Sequence, residues 1–167
     1  MIKNFNTLFV TMFGIGKLKI IPGTFGSLAT IIILYCCFHV LEINSNLIFL
    51  GLVVIFIYSF IAIASYTKDK DNQDPREIVI DEFIGQSIPI YLYEVSHGTN
   101  KDPNEAIIFY VVCFVLFRYF DIMKPFPVSY FDKKHKNSFG VIMDDVCAGL
   151  YVVLSLICFM ILKNFIL

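Results

Sequence analysis

The sequence predicts an all-α protein, a helical bundle with about three to four membrane-embedded helices. Three observations lead there. The 167 residues are 57% hydrophobic and only 16% charged, with a mean hydropathy of +0.74, whereas soluble domains carry roughly a quarter charged residues. The apolar residues gather in uncharged runs of helical, membrane-crossing length. The charges collect between those runs, and the basic ones favour three of the intervening segments. This composition excludes disorder, and a net charge of −1 gives no field for steering a nucleic acid.

Met1 to Lys19 contains a short apolar run, Leu8 to Phe13, too brief for the core of a cleaved signal and expected to stay attached. Ser27 to Ile43 would span about 25 Å as a helix, with His39 and Glu42 at its far end. Asn46 to Tyr66 is uncharged and would span about 31 Å. The link between these two runs is short enough only for an antiparallel hairpin. Thr67 to Glu82 then packs nine charges into 16 residues around Pro75, which reads as an aqueous loop. Phe83 to Val95 is apolar but too short to cross alone, and with Gln86, Pro89 and Glu94 inside it is expected to be buried, kinked or re-entrant. Ala106 to Phe117 is apolar up to Arg118, and Val146 to Leu162 up to Lys163, with a polar stretch between the two. The whole chain, 1–167, reads as one helical domain.

Cytoplasmic flanks collect Lys and Arg. Placing the N-terminus, the loop after the second span and the loop before the last span inside accounts for all 13 basic residues except Lys101 and Lys163. Cys36, Cys37, Cys113, Cys147 and Cys158 lie in apolar runs without metal-binding spacing, as small buried or lipid-facing residues rather than disulfides or zinc ligands.

Three polar constellations fall on the predicted inner side. In Pro22-Gly23-Thr24-Phe25-Gly26-Ser27, Gly23 and Gly26 free the backbone to approach a ligand. Thr24 or Ser27 can cap the helix that follows, and the unpaired N–H groups of its first turn attract an anion such as phosphate; an ordinary turn with a cap would look the same. In Asp74-Pro75-Arg76-Glu77-Ile78-Val79-Ile80-Asp81-Glu82 two adjacent carboxylates open a helix, where one would suffice for the dipole. In Arg118-Tyr119-Phe120-Asp121-Ile122-Met123-Lys124-Pro125 the charges recur every three residues, so Asp121 is expected to touch both Arg118 and Lys124. With Asp144-Asp145 these segments bring Asp81, Glu82, Asp121, Asp144 and Asp145 to one face. Such a cluster repels itself unless a cation joins it. Oxygen ligands alone suit Mg²⁺, which bridges readily to a phosphate, while Arg118 and Lys124 can hold the remaining phosphate charge.

On these residues the sequence resembles the phosphatidylglycerophosphatase A family of bacterial membrane enzymes. The resemblance is carried by Pro22-Gly23-Thr24 with Gly26-Ser27, Asp74-Pro75 with Ile78-Val79-Ile80-Asp81-Glu82, Phe117-Arg118 with Phe120-Asp121 and Lys124-Pro125, and Gly140-Val141-Ile142-Met143-Asp144-Asp145 with Ala148-Gly149. Order and spacing agree from about Gly14 to Tyr151. Lys19 and Ile21 stand where the family tends to have Pro and Ala, and Asn137-Ser138-Phe139 replaces a glycine-rich approach to the last motif. The resemblance implies hydrolysis of phosphatidylglycerophosphate to phosphatidylglycerol and phosphate, with Mg²⁺, at the cytoplasmic face of the inner membrane. It implies Mg²⁺ held by Asp81, Glu82, Asp144 and Asp145, with catalytic roles for Asp81, Asp121, Arg118 and Lys124. A compact bundle with a central helix surrounded by others is implied as well. The alternative, a non-enzymatic transport or assembly subunit, would place ion-carrying acids within spans, and only Glu42 and Glu94 offer that, both near the ends of their runs.

Overall fold

The computed structural model describes residues 2–70, 72, 74–97, 103–134 and 136–166, and among them the regular structure is entirely helical. Seven α-helices follow in order: α1 (Ile2–Val10), α2 (Pro22–Tyr35), α3 (Ser45–Thr67), α4 (Ile80–His97), α5 (Pro103–Met123), α6 (Val128–Lys134) and α7 (Ser138–Ile166). Four segments are long and apolar enough to cross a membrane: Pro22–Val40, Ser45–Thr67, Asn104–Met123 and Ser138–Phe165. Their outward faces are crowded with exposed Leu, Ile, Val and Phe, which water would not tolerate and acyl chains do. This is a membrane protein.

Each span departs from its apolar run in an instructive way. α2 starts five residues before the run, because Pro22 occupies the first turn after Ile21, where a missing N–H loses nothing. It ends in a π-helical turn, Cys36–Val40. α3 is capped by Asn44, whose side chain accepts from the N–H of Asn46 at 2.8 Å. α5 extends the expected 12-residue run in both directions to 21 residues, since Arg118 and Asp121 neutralise each other at 2.6 Å and can stay inside the helix. A span, Asn104–Met123, therefore stands where the apolar run alone is too short to cross. α7 likewise begins ahead of Asp144 and Asp145, so those acids sit within a helix and not on its approach. Of the two basic residues assigned outside, Lys101 lies beyond the described residues.

The helix that contains the run Phe83 to Val95, expected to be too short to cross alone, is the centre of the protein. α4 packs against α2, α3, α5 and α7, and Phe83, Ile84, Gly85, Gln86, Ser87, Pro89 and Ile90 are all buried. Pro89 is accommodated inside the helix; it leaves the carbonyl of Gly85 without its usual intrahelical donor. α7 closes on that point backbone to backbone. A Cβ on Gly149 would collide with the Gly85 carbonyl, and one on Gly85 with the Asp145 carbonyl and the Phe117 ring. These contacts lock Asp145 beside the first turn of α4.

The segment expected to be an aqueous loop is only partly one. Its last residues before α4, Ile78 and Val79, are buried, and the Val79 N–H donates to the Val10 carbonyl at 3.0 Å. The start of α4 is thus drawn inside the bundle, which buries Asp81 with it.

Candidate active site

The N-terminal end of α2, the N-terminal end of α4, the C-terminal end of α5 and the second turn of α7 converge on one cleft of about 370 Å³. Its walls include Ile21, Gly23, Thr24, Asp74, Arg76, Asp81, Glu82, Arg118, Asp121, Lys124, Asp144 and Asp145. Segments separated by more than a hundred residues thus share one polar recess at the end of an otherwise apolar bundle.

Asp81, Glu82 and Asp145 each turn a carboxylate oxygen into a group whose members lie within 4.8 Å of one another. Such proximity is unfavourable for three anions in a buried place. Burial, and then the charge of Asp81, drives the Glu82 carboxyl well above the usual range, and burial raises Asp81 to about 6. Buried Glu82 Oε2 and Asp145 Oδ1 have no hydrogen-bond partner. The donor set is all oxygen and two of its oxygens are unmet, which is the chemistry a hard divalent cation satisfies. Asp144 stands apart from this group. Its carboxylate instead accepts from Lys124 Nζ at 2.9 Å.

The cations are held by acids outside that trio. Arg118 pairs with Asp121 at 2.6 Å and approaches Ser27 Oγ at 3.4 Å, while Ser27 Oγ donates to the Gly23 carbonyl at 3.0 Å. Lys124 bridges Asp132 at 2.6 Å and Asp144 at 2.9 Å. Burial opposes the Lys124 charge, but the hydrogen bond to Asp132 and the charge of Asp144 outweigh it and hold the ammonium above its ordinary range. The expected contact between Asp121 and Lys124 is absent from the ion pairs of the cleft. Lys124 lies past the end of α5 with φ of 43°, so the three-residue stripe stops at Asp121 and the lysine swings toward α6 and α7.

The glycine-rich segment divides into two roles. Gly23 faces the cleft, and a Cβ there would strike the Glu82 carboxylate. Thr24 lines the cleft beside it, and in a helix that opens at Pro22 the N–H groups of both have no intrahelical acceptor. Gly26 and Ser27 lie further in: Gly26 packs on Val79 and Ser27 is fully buried. Neither Thr24 nor Ser27 caps the helix, because its N-cap is Ile21, in the left-handed region at φ of 41°, without a side-chain cap.

Two residues that line the site, and two beyond its lining, were not singled out for it by sequence reasoning. Asp74 and Arg76 line the cleft, and burial raises the Asp74 carboxyl; their place in the motif around Pro75 was a usable signal. Asp132 reaches Lys124 from α6, and no periodicity links them. Gln86 is buried one turn beyond Glu82 with both polar atoms unpartnered.

Fold and cleft define a membrane-embedded protein with acidic and basic groups gathered in one recess, and known relatives make the class a phosphatase. The phosphatidylglycerophosphatase A family profile matches residues 8–160. Phosphatidylglycerophosphatase A of Haemophilus influenzae is 37% identical over 142 residues, 85% of this chain and 80% of that protein. Its namesake in Escherichia coli K12 is 34% identical over 138 residues, 82% and 73% of the two chains. A Bacteroides thetaiotaomicron protein, provisionally named a phosphatidylinositol-3-phosphatase, is 35% identical over 143 residues, 84% of each. No solved structure matches the chain significantly. The chain belongs to the phosphatidylglycerophosphatase A family.

Proposed function

We propose that the protein hydrolyses phosphatidylglycerophosphate to phosphatidylglycerol and inorganic phosphate, with Mg²⁺, at the cytoplasmic face of the bacterial inner membrane. The observation that carries this reading is the opposition of two charge sets in one cleft. Asp81, Glu82 and Asp145 lie within 4.8 Å of one another, facing Arg118 and Lys124 across a recess at the end of a bundle built for lipid. The relatives' names support the substrate, and the clustering of basic residues at this end supports the cytoplasmic orientation.

Asp81, Glu82 and Asp145 would hold the cation, which supplies Lewis-acid polarisation of a phosphoryl oxygen and acidifies a bound water. The N–H groups of Gly23 and Thr24 present the positive end of α2 to the phosphate. Arg118, oriented by Asp121, and Lys124, oriented by Asp132 and Asp144, neutralise the phosphoryl oxygens as their charge redistributes. Their fixed carboxylate partners mean that little side-chain freedom remains to be lost when phosphate arrives. Water adds to phosphorus, the bond from phosphorus to the glycerol oxygen breaks, and that oxygen leaves with a proton.

Phosphate release by purified protein in detergent, given phosphatidylglycerophosphate with Mg²⁺ or with EDTA, tests the proposal. Release with Mg²⁺ and none with EDTA is expected. Equal release in chelator would remove the cation, and release from phosphatidylinositol 3-phosphate in preference would reassign the headgroup.

A further inference from the structure

Gln86 lies one helical turn beyond Glu82 on α4, so the two side chains share a face with Cβ atoms about 5–6 Å apart. It is fully buried, where an apolar side chain would pack without leaving a polar group unmet. Neither its amide oxygen nor its amide nitrogen has a partner. Among the described residues the other buried orphans are Glu82 Oε2, Asp145 Oδ1 and Arg118 Nε.

Gln86 stands one turn from Glu82, whose carboxylate lies within 4.8 Å of those of Asp81 and Asp145. Gly85, next to Gln86, is pressed against the Asp145 carbonyl and the ring of Phe117, and Phe117 adjoins Arg118. Two carboxylate acceptors, one guanidinium donor and an amide that both donates and accepts make a complementary set, provided something small and polar sits between them. Buried polar groups are nearly always satisfied, by protein atoms or by an ordered water with two to four polar partners.

We propose that Gln86 is a positioning residue of the carboxylate cluster, holding Glu82 and Asp145 in orientation through a buried water that it shares with them and Arg118. This rests on the reading that Asp81, Glu82 and Asp145 bind a divalent cation. Outer partners of ligating groups change metal affinity by about 10- to 100-fold when removed, and Gln86 belongs with such partners because it does not line the cleft.

The test uses the full chain in detergent with Gln86→Met, which conserves volume, and Gln86→Asn, which keeps the amide on a shorter stem. Thermal unfolding is followed in EDTA and across a Mg²⁺ titration, beside phosphate release. In EDTA the Met variant should melt at the parent's temperature or above it, because an unmet polar group has gone. The Mg²⁺ concentration for half the stabilising shift should rise about tenfold or more, with a smaller rise for Asn. Turnover should recover at high Mg²⁺ with KM for phosphatidylglycerophosphate within about twofold of the parent's. Should the Met variant not fold, the Asn variant carries the same comparison. A parent-like Mg²⁺ midpoint in the folded variants overturns the role of Gln86 alone. A parent protein that Mg²⁺ does not stabilise overturns the cation reading and this role together.

Discussion

Helix α4 carries buried acids at both ends, and the two ends treat them differently. Near its C-terminal end Glu94 is 3% exposed, yet its carboxylate meets His39 Nε2 at 3.2 Å and accepts from the Tyr110 hydroxyl at 3.1 Å. At its N-terminal end Asp81 and Glu82 meet another acid, Asp145, and oxygens of Glu82 and Asp145 are left unpaired. Burial of an acid is therefore no mark of a site. The distinguishing feature is hydrogen-bonding demand, which aromatic and imidazole groups meet at one end and which two carboxylate oxygens leave unmet at the other.

The sharpest way to break this contrast is to neutralise one acid at each end. Asp145→Asn or Asp81→Asn should lower turnover by about 10²-fold or more, in line with loss of a principal electrostatic group. Melting in EDTA should hold or improve, since like-charge repulsion is relieved. Glu94→Leu should do the reverse, losing about 1–3 kcal/mol of stability because His39 and Tyr110 are orphaned, with activity largely kept. Phosphate release and thermal unfolding of the three variants decide it; an active, destabilised Asp145→Asn protein would sink the distinction.

A smaller effect is expected where the cations are held. Lys124→Ala should lower kcat by about 10- to 100-fold with lipid partitioning unchanged, because its charge counts most as phosphate charge redistributes. Asp132→Asn should reduce kcat by roughly tenfold at most, as it removes one of two anchors and leaves Asp144 in place. Parent-like kcat in Lys124→Ala would return that lysine to a structural ion pair.

The least drastic test is pH. In the folded protein Asp81 titrates at about 6 against its ordinary 3.8, so the fold binds a proton that the unfolded chain has released. The folded state then holds more protons between those values, and stability in EDTA should fall as pH rises from 3.8 to about 6. Mg²⁺ should flatten or reverse the trend, since cation binding strengthens as the acids ionise. Melting temperatures at pH 4.5 and 7, with and without Mg²⁺, measure it. Stability in EDTA that rises with pH across this range would contradict the buried, unpaired state of these acids.

What the sequence determined by itself is what depends on neighbours along the chain. Uncharged runs such as Asn46 to Tyr66 must be helical in a bilayer, where backbone groups have no other partners, and the spans at α2, α3 and α7 followed from run length, whereas α5 needed the Arg118–Asp121 pair. The adjacent acids at 81 and 82, the pair at 144 and 145 and the charges of 118 and 121 were visible as local patterns, and the family resemblance rests on them. Tertiary structure decided the rest. Phe83 to Val95 read as a fragment because its length fits no membrane; it is the buried centre because α2, α3, α5 and α7 enclose it. That Asp145 joins Asp81 and Glu82 while the neighbouring Asp144 turns to Lys124 depends on the rotation of α7 about its axis. The contact of Gly85 with Gly149 sets that rotation. The partnership of Lys124 with Asp132 and the stranding of Gln86 likewise appear only in the folded chain. Hydrophobic run length is a property of consecutive residues, whereas helix rotation and backbone approach emerge only when distant segments pack, and those decide which of several equal carboxylates meet.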